Sequence, residues 1–262
     1  PRLCYPLPMK IVSWNVNSIK ARLEHVKKYL GYAAPDVLMI QELKGLEFPT
    51  EEFTALGYHS EAVCQKAYNG VAVISKEPIE LILTDLPGDD ADEQARYIEF
   101  DYKGLRLINI YLPNGNPVPG DKYDYKLGWM DRLYARLSEL RQNNIEFAIG
   151  GDFNVIAEAK DCYDVKAWQD DAAYLLTTRQ KYRKIINLGL TDAFRTLDSR
   201  AEQYTFWDYQ RGAWPKGNGI RIDHFLLSPT IADRLIACEI DKEPRGWEKA
   251  SDHTPIMIEL KE

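Results

Sequence analysis

Only four cysteines occur in the 262 residues, at 4, 64, 162 and 238, dozens of positions apart and without a C-x-x-C pair. That spacing argues against a zinc site or a dithiol redox motif and leaves free thiols in a reducing cytoplasm as the expectation. No stretch approaches the roughly 18 consecutive apolar residues of a membrane span, so neither a membrane location nor a membrane partner is expected. Positive charge is also in deficit. The chain carries 33 Lys and Arg against 40 Asp and Glu, a net −7, so indiscriminate attraction to nucleic acid or anionic lipid is not the default and a nucleic-acid role would need local chemistry. Residues 1–8 lack the charged region, apolar region and small-residue cleavage site of a secretory signal. They read as an N-terminal extension before Met9, and 9–262 as one catalytic-sized domain with no linker and no internal repeat.

What is present is a chain-long alternation of strand and helix signals. Apolar runs typical of buried strands fall at 10–14, 37–40, 70–75, 105–112, 147–150, 222–228 and 255–260. Between the first two, Ile19, Leu23, Val26 and Leu30 repeat at helical spacing behind Asn17 or Ser18 as a cap, with Gly31 expected at the far end. Met130, Leu133, Leu137 and Leu140 predict a second helix over 125–141, and a third fits 175–188. Tyr97–Asp101 followed by Leu105–Ile110 looks like a hairpin. Together these predict a layered α/β (α+β) domain with mixed sheets. The acidic run Asp89, Asp90, Asp92, Glu93 reads as a solvated loop away from any DNA.

The informative pattern is where the apolar runs stop. They end in Trp14-Asn15, Gln41-Glu42, Tyr111 to Asn114, Asp152 to Asn154 and Asp223-His224, with Ser251 to His253 beside the last strand. Carboxylates are costly to bury unpaired, so if these strand ends meet at one rim, a cation is the simplest compensation for Glu42, Asp152, Asp223 and Asp252. Oxygen donors favour magnesium or manganese over zinc, and a magnesium site with few protein ligands leaves room for a phosphate.

These residues carry a resemblance. The blocks Trp14-Asn-Val-Asn-Ser-Ile-Lys-Ala-Arg22, Gln41-Glu-Leu-Lys44, Asn109-Ile-Tyr-Leu-Pro-Asn-Gly115, Gly151-Asp-Phe-Asn-Val155, Arg221-Ile-Asp223 and Ser251-Asp-His-Thr-Pro255 look like those of the exonuclease III family, the DNA-repair members of the endonuclease/exonuclease/phosphatase superfamily. All six stand in family order between Met9 and Leu260. The resemblance implies a four-layer sandwich of two packed mixed sheets flanked by helices, with the site at one rim.

Carried residue by residue, it implies Mg2+ (or Mn2+) on Glu42, with Asp252 and Asn15 beside it and Asp152, Asn154 and His253 in the wider ligand set. Asp152 is the expected water-activating group, Asn154 its neighbour, Asp223 the partner of His253, and Tyr111 and Asn114 phosphate contacts. Lys44, two residues after Glu42, would share its face of an extended segment and orient it. Phe206, Ile220 and Ile222 resemble the walls of an abasic-sugar pocket, with Trp207 as packing. His224 is expected in the core or just behind the site, and His25 and His59 as ordinary surface or packing residues. Tyr68, Lys66, Lys122, Lys126, Arg211 and Lys216 are expected backbone contacts to duplex DNA bearing abasic sites or blocked 3′ ends. The chain departs from the family at Asp164-Val165-Lys166 and at Leu176-Thr-Thr-Arg179. The implied activity is magnesium-dependent incision 5′ to abasic sites with 3′ to 5′ exonuclease and 3′ end-cleaning, by a monomer. The rivals are a phosphoesterase of the same superfamily acting on RNA or a lipid headgroup, and a noncatalytic DNA-binding protein on the same fold.

Overall fold

The computed structural model describes residues 7–262, so Cys4 and most of the expected N-terminal extension lie outside the described residues. Twelve strands form two six-stranded sheets. The strands are β1 (Met9–Asn15), β2 (Val37–Gln41), β3 (His59–Val63), β4 (Val71–Ser75), β5 (Glu80–Leu83), β6 (Tyr97–Tyr102), β7 (Leu105–Tyr111), β8 (Phe147–Asp152), β9 (Thr191–Asp192), β10 (Asp223–Leu227), β11 (Leu235–Ile240) and β12 (Ile256–Leu260). One sheet runs β11-β12-β1-β2-β4-β3 and the other β5-β6-β7-β8-β10-β9. Alternation along each central strand separates the layers. Met39, Val73, Phe100, Leu107, Phe225 and Ile258 point between the sheets. Val12, Ile40 and Ile74 point outward beneath helix α1 (Ile19–Ala33) and the single turn α2 (Thr50–Thr54). On the other outer face Ile108, Ile149 and Leu226 lie beneath α3 (Asp121–Gln142), with Tyr182 and Ile185 from a later helix. The result is the four-layer α/β sandwich. Among the described residues no helix is long and apolar enough to cross a membrane.

The sheets approach closely where the site is built. A Cβ added to Gly150 would lie 2.4 Å from the Phe225 ring and 2.7 Å from the Met39 methyl, so only glycine fits there. A buried polar tie crosses this interface besides the Asn15–Asp152 hydrogen bond at the site. Buried Asn109 donates to the carbonyls of Ile40 (3.1 Å) and Ala72 (2.9 Å) and accepts from the Gln41 amide at 2.7 Å.

Three expectations are corrected here. Helix α1 runs through Gly31 and closes at Ala34, whose backbone takes the left-handed conformation (φ 44) and returns its N–H to Leu30. Helix α3 starts four residues before the expected 125, at Asp121. The acidic loop is not wholly solvated, because Asp92 turns inward to accept from Arg132 at 2.7 Å and from the Tyr125 hydroxyl at 2.9 Å. Strands β3, β5, β9 and β11, which no apolar run announces, are the four edges of the two sheets. With neighbours on one side only, an edge strand needs no continuous hydrophobic run.

Candidate active site

Register brings the functional groups together. Strands β1 and β2 run parallel with Asn15 opposite Gln41, and β7 and β8 run parallel with Tyr111 opposite Asp152. Antiparallel β10 then places Asp223 opposite Asp152. Both parallel pairs end at one rim, so Glu42, Tyr111, Asp152 and Asp223 arrive there from both sheets, and the loop before β12 adds Asp252 and His253.

Asp152 and His253 form the centre. The Asp152 carboxylate accepts from the Asn15 amide at 3.0 Å and from the Asn154 backbone N–H at 2.9 Å. His253 Nδ1 lies 2.8 Å from Asp223 Oδ2, and its Nε2 lies 3.6 Å from Asp152 Oδ2. Burial alone would lower the imidazole, but the carboxylates of Asp223 and Asp152 outweigh it and hold His253 up at about 10. Burial, helped by the charge of Asp223 and opposed by His253, pushes Asp152 up to about 7. The ring is therefore an imidazolium held between two carboxylates, with Phe206 edge-on at 5.0 Å. Asp223 Oδ1 is buried with no partner among the described residues.

A second set of carboxylates stands on the same cavity wall. Glu42 lies 3.0 Å from the Lys44 ammonium. The pair does not arise from the expected extended alternation: both residues take left-handed conformations, with φ of 62 and 56. Asn17, expected only as a candidate helix cap, a place that Ser18 takes, is the hub. It accepts from Lys44 at 2.5 Å, donates to Asp252 at 3.1 Å, and gives its backbone N–H to the Asn15 side-chain oxygen at 3.0 Å. Its signal was present in the Trp-Asn-Val-Asn block, two residues beyond Asn15.

A cavity of about 300 Å³ opens on these groups, lined by Glu42, Asp152, Asn154, Asp252 and His253 on its polar side. Phe206, Ile220, Ile222 and Ala173 form its apolar side, and Tyr111, Asn114, Trp168 and Asp171 complete the wall. Burial, then the charges of Glu42 and Asp152, raise the Tyr111 phenol well above its ordinary value, so it is a neutral donor. Asn154 gives its amide to the Leu112 carbonyl at 2.8 Å, and Asn114 approaches its side-chain oxygen at 3.4 Å.

The donor set suits a hard cation. The carboxylate residues Glu42, Asp152 and Asp252 line the cavity. Among the described residues the one group of three His, Cys, Asp or Glu ligand atoms within 4.8 Å is Asp152, Asp223 and His253, and its own hydrogen bond already engages two of the three. Glu42 and Asp252 therefore belong to no closed protein cage, which is how magnesium is held when waters and substrate phosphate fill its shell. Asn15 is wholly buried, does not line the cavity, and spends both side-chain atoms on Asp152 and Asn17. It positions Asp152 and is not placed as a ligand. His253 instead gives its Nδ1 to Asp223 and turns Nε2 toward Asp152 at 3.6 Å.

The expected flanking contacts divide. Tyr68, 71% exposed, and Lys122 line an adjoining groove that shares Tyr111 and Asn114 with the cavity. Lys66 lies in a separate apolar groove with Lys20 and Lys44. Arg211 and Lys216 line a third hollow. Lys126 is a correction: it is fully buried, lowered by burial to about 7, and donates to the carbonyls of Asn114 (3.1 Å) and Asn154 (2.6 Å). It supports two loops and cannot reach DNA. Trp207 packs in the interior, His25 lies against Trp247, and His59 is exposed on β3.

Residues 12–253 match the endonuclease/exonuclease/phosphatase family. The exodeoxyribonuclease III of Haemophilus influenzae is 31% identical over 97% of this chain and 100% of its own length. The chain belongs to the exonuclease III branch of that family. Among solved structures, an AP endonuclease from Archaeoglobus fulgidus has 35% identity and a TM-score of 0.93, over 97% of this chain and 100% of that one. A 3′-5′ exonuclease from Neisseria meningitidis has 35% identity and a TM-score of 0.94 over the same shares.

Within this exonuclease III fold, His224 sits next to the partner of His253 yet has the opposite chemistry. Adjacent to Asp223 but facing the other way, it is buried against Phe153 and Tyr182 with Nε2 2.8 Å from the Val155 carbonyl. Burial, with the charge of Arg221, pushes it down to about 4. An unfolded histidine takes its proton near 6.5, so the unfolded state binds more protons between about pH 6.5 and 4, and stability is lost as pH falls through that window. The shift corresponds to about 3 kcal/mol. In His224→Gln the pH-dependent part of that loss should vanish, visible as a flatter midpoint-versus-pH curve in urea melts. An unchanged slope would show that His224 is not held neutral.

Proposed function

We propose that this hydrolase of the exonuclease III family is a magnesium-dependent DNA-repair phosphodiesterase that cuts duplex DNA on the 5′ side of abasic sites and trims 3′ ends. The observation that carries this reading is the apposition, across one cavity of about 300 Å³, of the Asp152–His253–Asp223 cluster and the Glu42 and Asp252 carboxylates with an apolar wall of Phe206, Ile220 and Ile222.

Each group has a task. Asp152, pushed up to about 7, sits near the operating pH of a general base and orients or deprotonates the attacking water. The His253 imidazolium donates to a phosphate oxygen and offsets the charge that develops there. Tyr111, Asn114 and Asn154 hold nonbridging oxygens. A divalent cation carried by Glu42 and Asp252 would neutralise the phosphate and stabilise the departing 3′ oxygen. The apolar wall admits a deoxyribose without its base and rejects an intact nucleotide by size, and the missing base makes extrusion less costly. Arg211, Lys216, Lys122 and Tyr68 supply backbone contacts that an acidic protein needs locally, so affinity should still fall with salt.

A duplex with one abasic-site analogue, an intact duplex and a matched RNA duplex test this. With magnesium the abasic strand should be nicked once, leaving a 3′ hydroxyl, while both controls stay unbroken internally and EDTA abolishes the nick. Manganese, but not calcium, should restore it. Equal internal cutting of the RNA, or a nick that survives EDTA, overturns the proposal.

A further inference from the structure

The cavity has a neighbour whose only residues given a task so far are Arg211 and Lys216. A hollow of about 480 Å³ lies beside it, lined by Tyr163, Gln210, Arg211, Lys216 and Asn218 among others, and two residues line both spaces: Trp168 and Asp171. These two form the ridge between them. Asp171 is already engaged, since its oxygens accept from the Asn116 amide at 3.1 Å and the Ala173 backbone N–H at 2.8 Å. Asp208, the other acid in the hollow, accepts from the Gln210 N–H at 2.8 Å. Arg211 and Lys216 make no ion pair among the described residues.

Trp168 is placed unusually for a ring of its size. It closes a single helical turn, α4 (Val165–Trp168), whose other three residues are exposed. It alone turns inward, packing against the cluster that includes Ile220, Ile222 and Phe206, the apolar wall of the cavity, while the rest of the ring remains open on the ridge.

We infer that Trp168 is a stacking platform for the intact nucleobase next to the abasic nucleotide, with the following phosphate directed toward Arg211 and Lys216. This rests on the abasic-site reading and specifies how the site holds the strand. A sugar seated in the cavity must be joined to a nucleotide whose base the cavity excludes, and the ridge is the nearest aromatic surface bordering both spaces. Every base has a π face, so such a platform grips without reading sequence.

Base-aromatic stacking implies about a 5- to 150-fold weakening of substrate affinity when the ring is removed. Trp168→Leu, which keeps apolar packing, should raise KM for the abasic duplex within that range, with the loss falling on KM and not kcat. Trp168→Phe should restore most of it. 2-Aminopurine placed beside the abasic analogue, in EDTA, should be quenched on binding wild type and Trp168→Phe but stay bright with Trp168→Leu at saturating protein. Equal quenching by wild type and Trp168→Leu, or a fall in kcat at unchanged KM, overturns the inference while a magnesium-dependent nick by wild type leaves the abasic-site reading standing. No nick by wild type overturns that reading and this one with it.

Discussion

His253→Ala should lower kcat for abasic-site incision by about a thousandfold, within the range for losing a positioned proton donor, while KM changes little. The ring lies 3.6 Å from Asp152 and is held in its charged form chiefly by Asp223 at 2.8 Å. Asp223→Asn should therefore fall nearly as far, because an amide neither favours the imidazolium nor fixes which nitrogen faces the cavity. The double variant should be no slower than His253→Ala, since the two act as one device. Single-turnover rates at saturating magnesium measure all three. Multiplicative losses in the double variant would show that Asp223 works independently of the ring, and the relay described here would be wrong.

The largest loss of stability should come from a residue that touches no substrate. Arg221 is wholly buried between the wall residues Ile220 and Ile222, and its guanidinium spans Asp161 at 2.8 Å and Asp192 at 2.8 Å. Arg195 pairs with Asp161 as well. Burial opposes ionisation of Asp161, but the two guanidinium groups outweigh it and keep the carboxyl below its usual range. Arg221→Met leaves Asp192 without its guanidinium and Asp161 with Arg195 alone, at a cost of about 3–5 kcal/mol, or a midpoint lower by roughly 10–15 °C at this size. Arg221→Lys should recover part of it, since an ammonium cannot bridge both acids as a planar fork does. Calorimetry on the two variants decides the matter. A drop below about 3 °C in Arg221→Met, under 1 kcal/mol at this size, would mean that the acids find water instead.

How much of this was legible in the sequence follows from what each feature depends on. Central strands such as Val37–Gln41 and Phe147–Asp152 are buried on both faces and announce themselves as apolar runs. Edge strands such as His59–Val63 pack on one side only and carry no such run. At the site, residues that must be acidic or imidazole for their chemistry, Glu42, Asp152, Asp223, Asp252 and His253, stood out at strand ends, and the fold brings all but Asp223 onto the cavity lining, with Asp223 directly behind His253. Residues whose role is relational did not. Asn17 matters because Lys44, Asp252 and Asn15 all converge on it; its place in the Trp-Asn-Val-Asn block marks the position, but an asparagine there does not foretell three partners. Lys126 misled for the opposite reason: a lysine at a helix start resembles a solvent-facing cation until its ammonium is found between two carbonyls.

That buried ammonium also sets what in the cavity is free to change. By clasping the main chain at Asn114 and Asn154, it welds the segments after β7 and β8 into one slab, so the amides that would meet phosphate move together or not at all. Adaptation to differently shaped DNA ends must then come from the facing side, where Trp168 rides on a lone helical turn. Chemistry is thus bolted to the sheets and to Phe206, which is bridged to His253, while the adaptable part of the wall is the lone turn that carries Trp168.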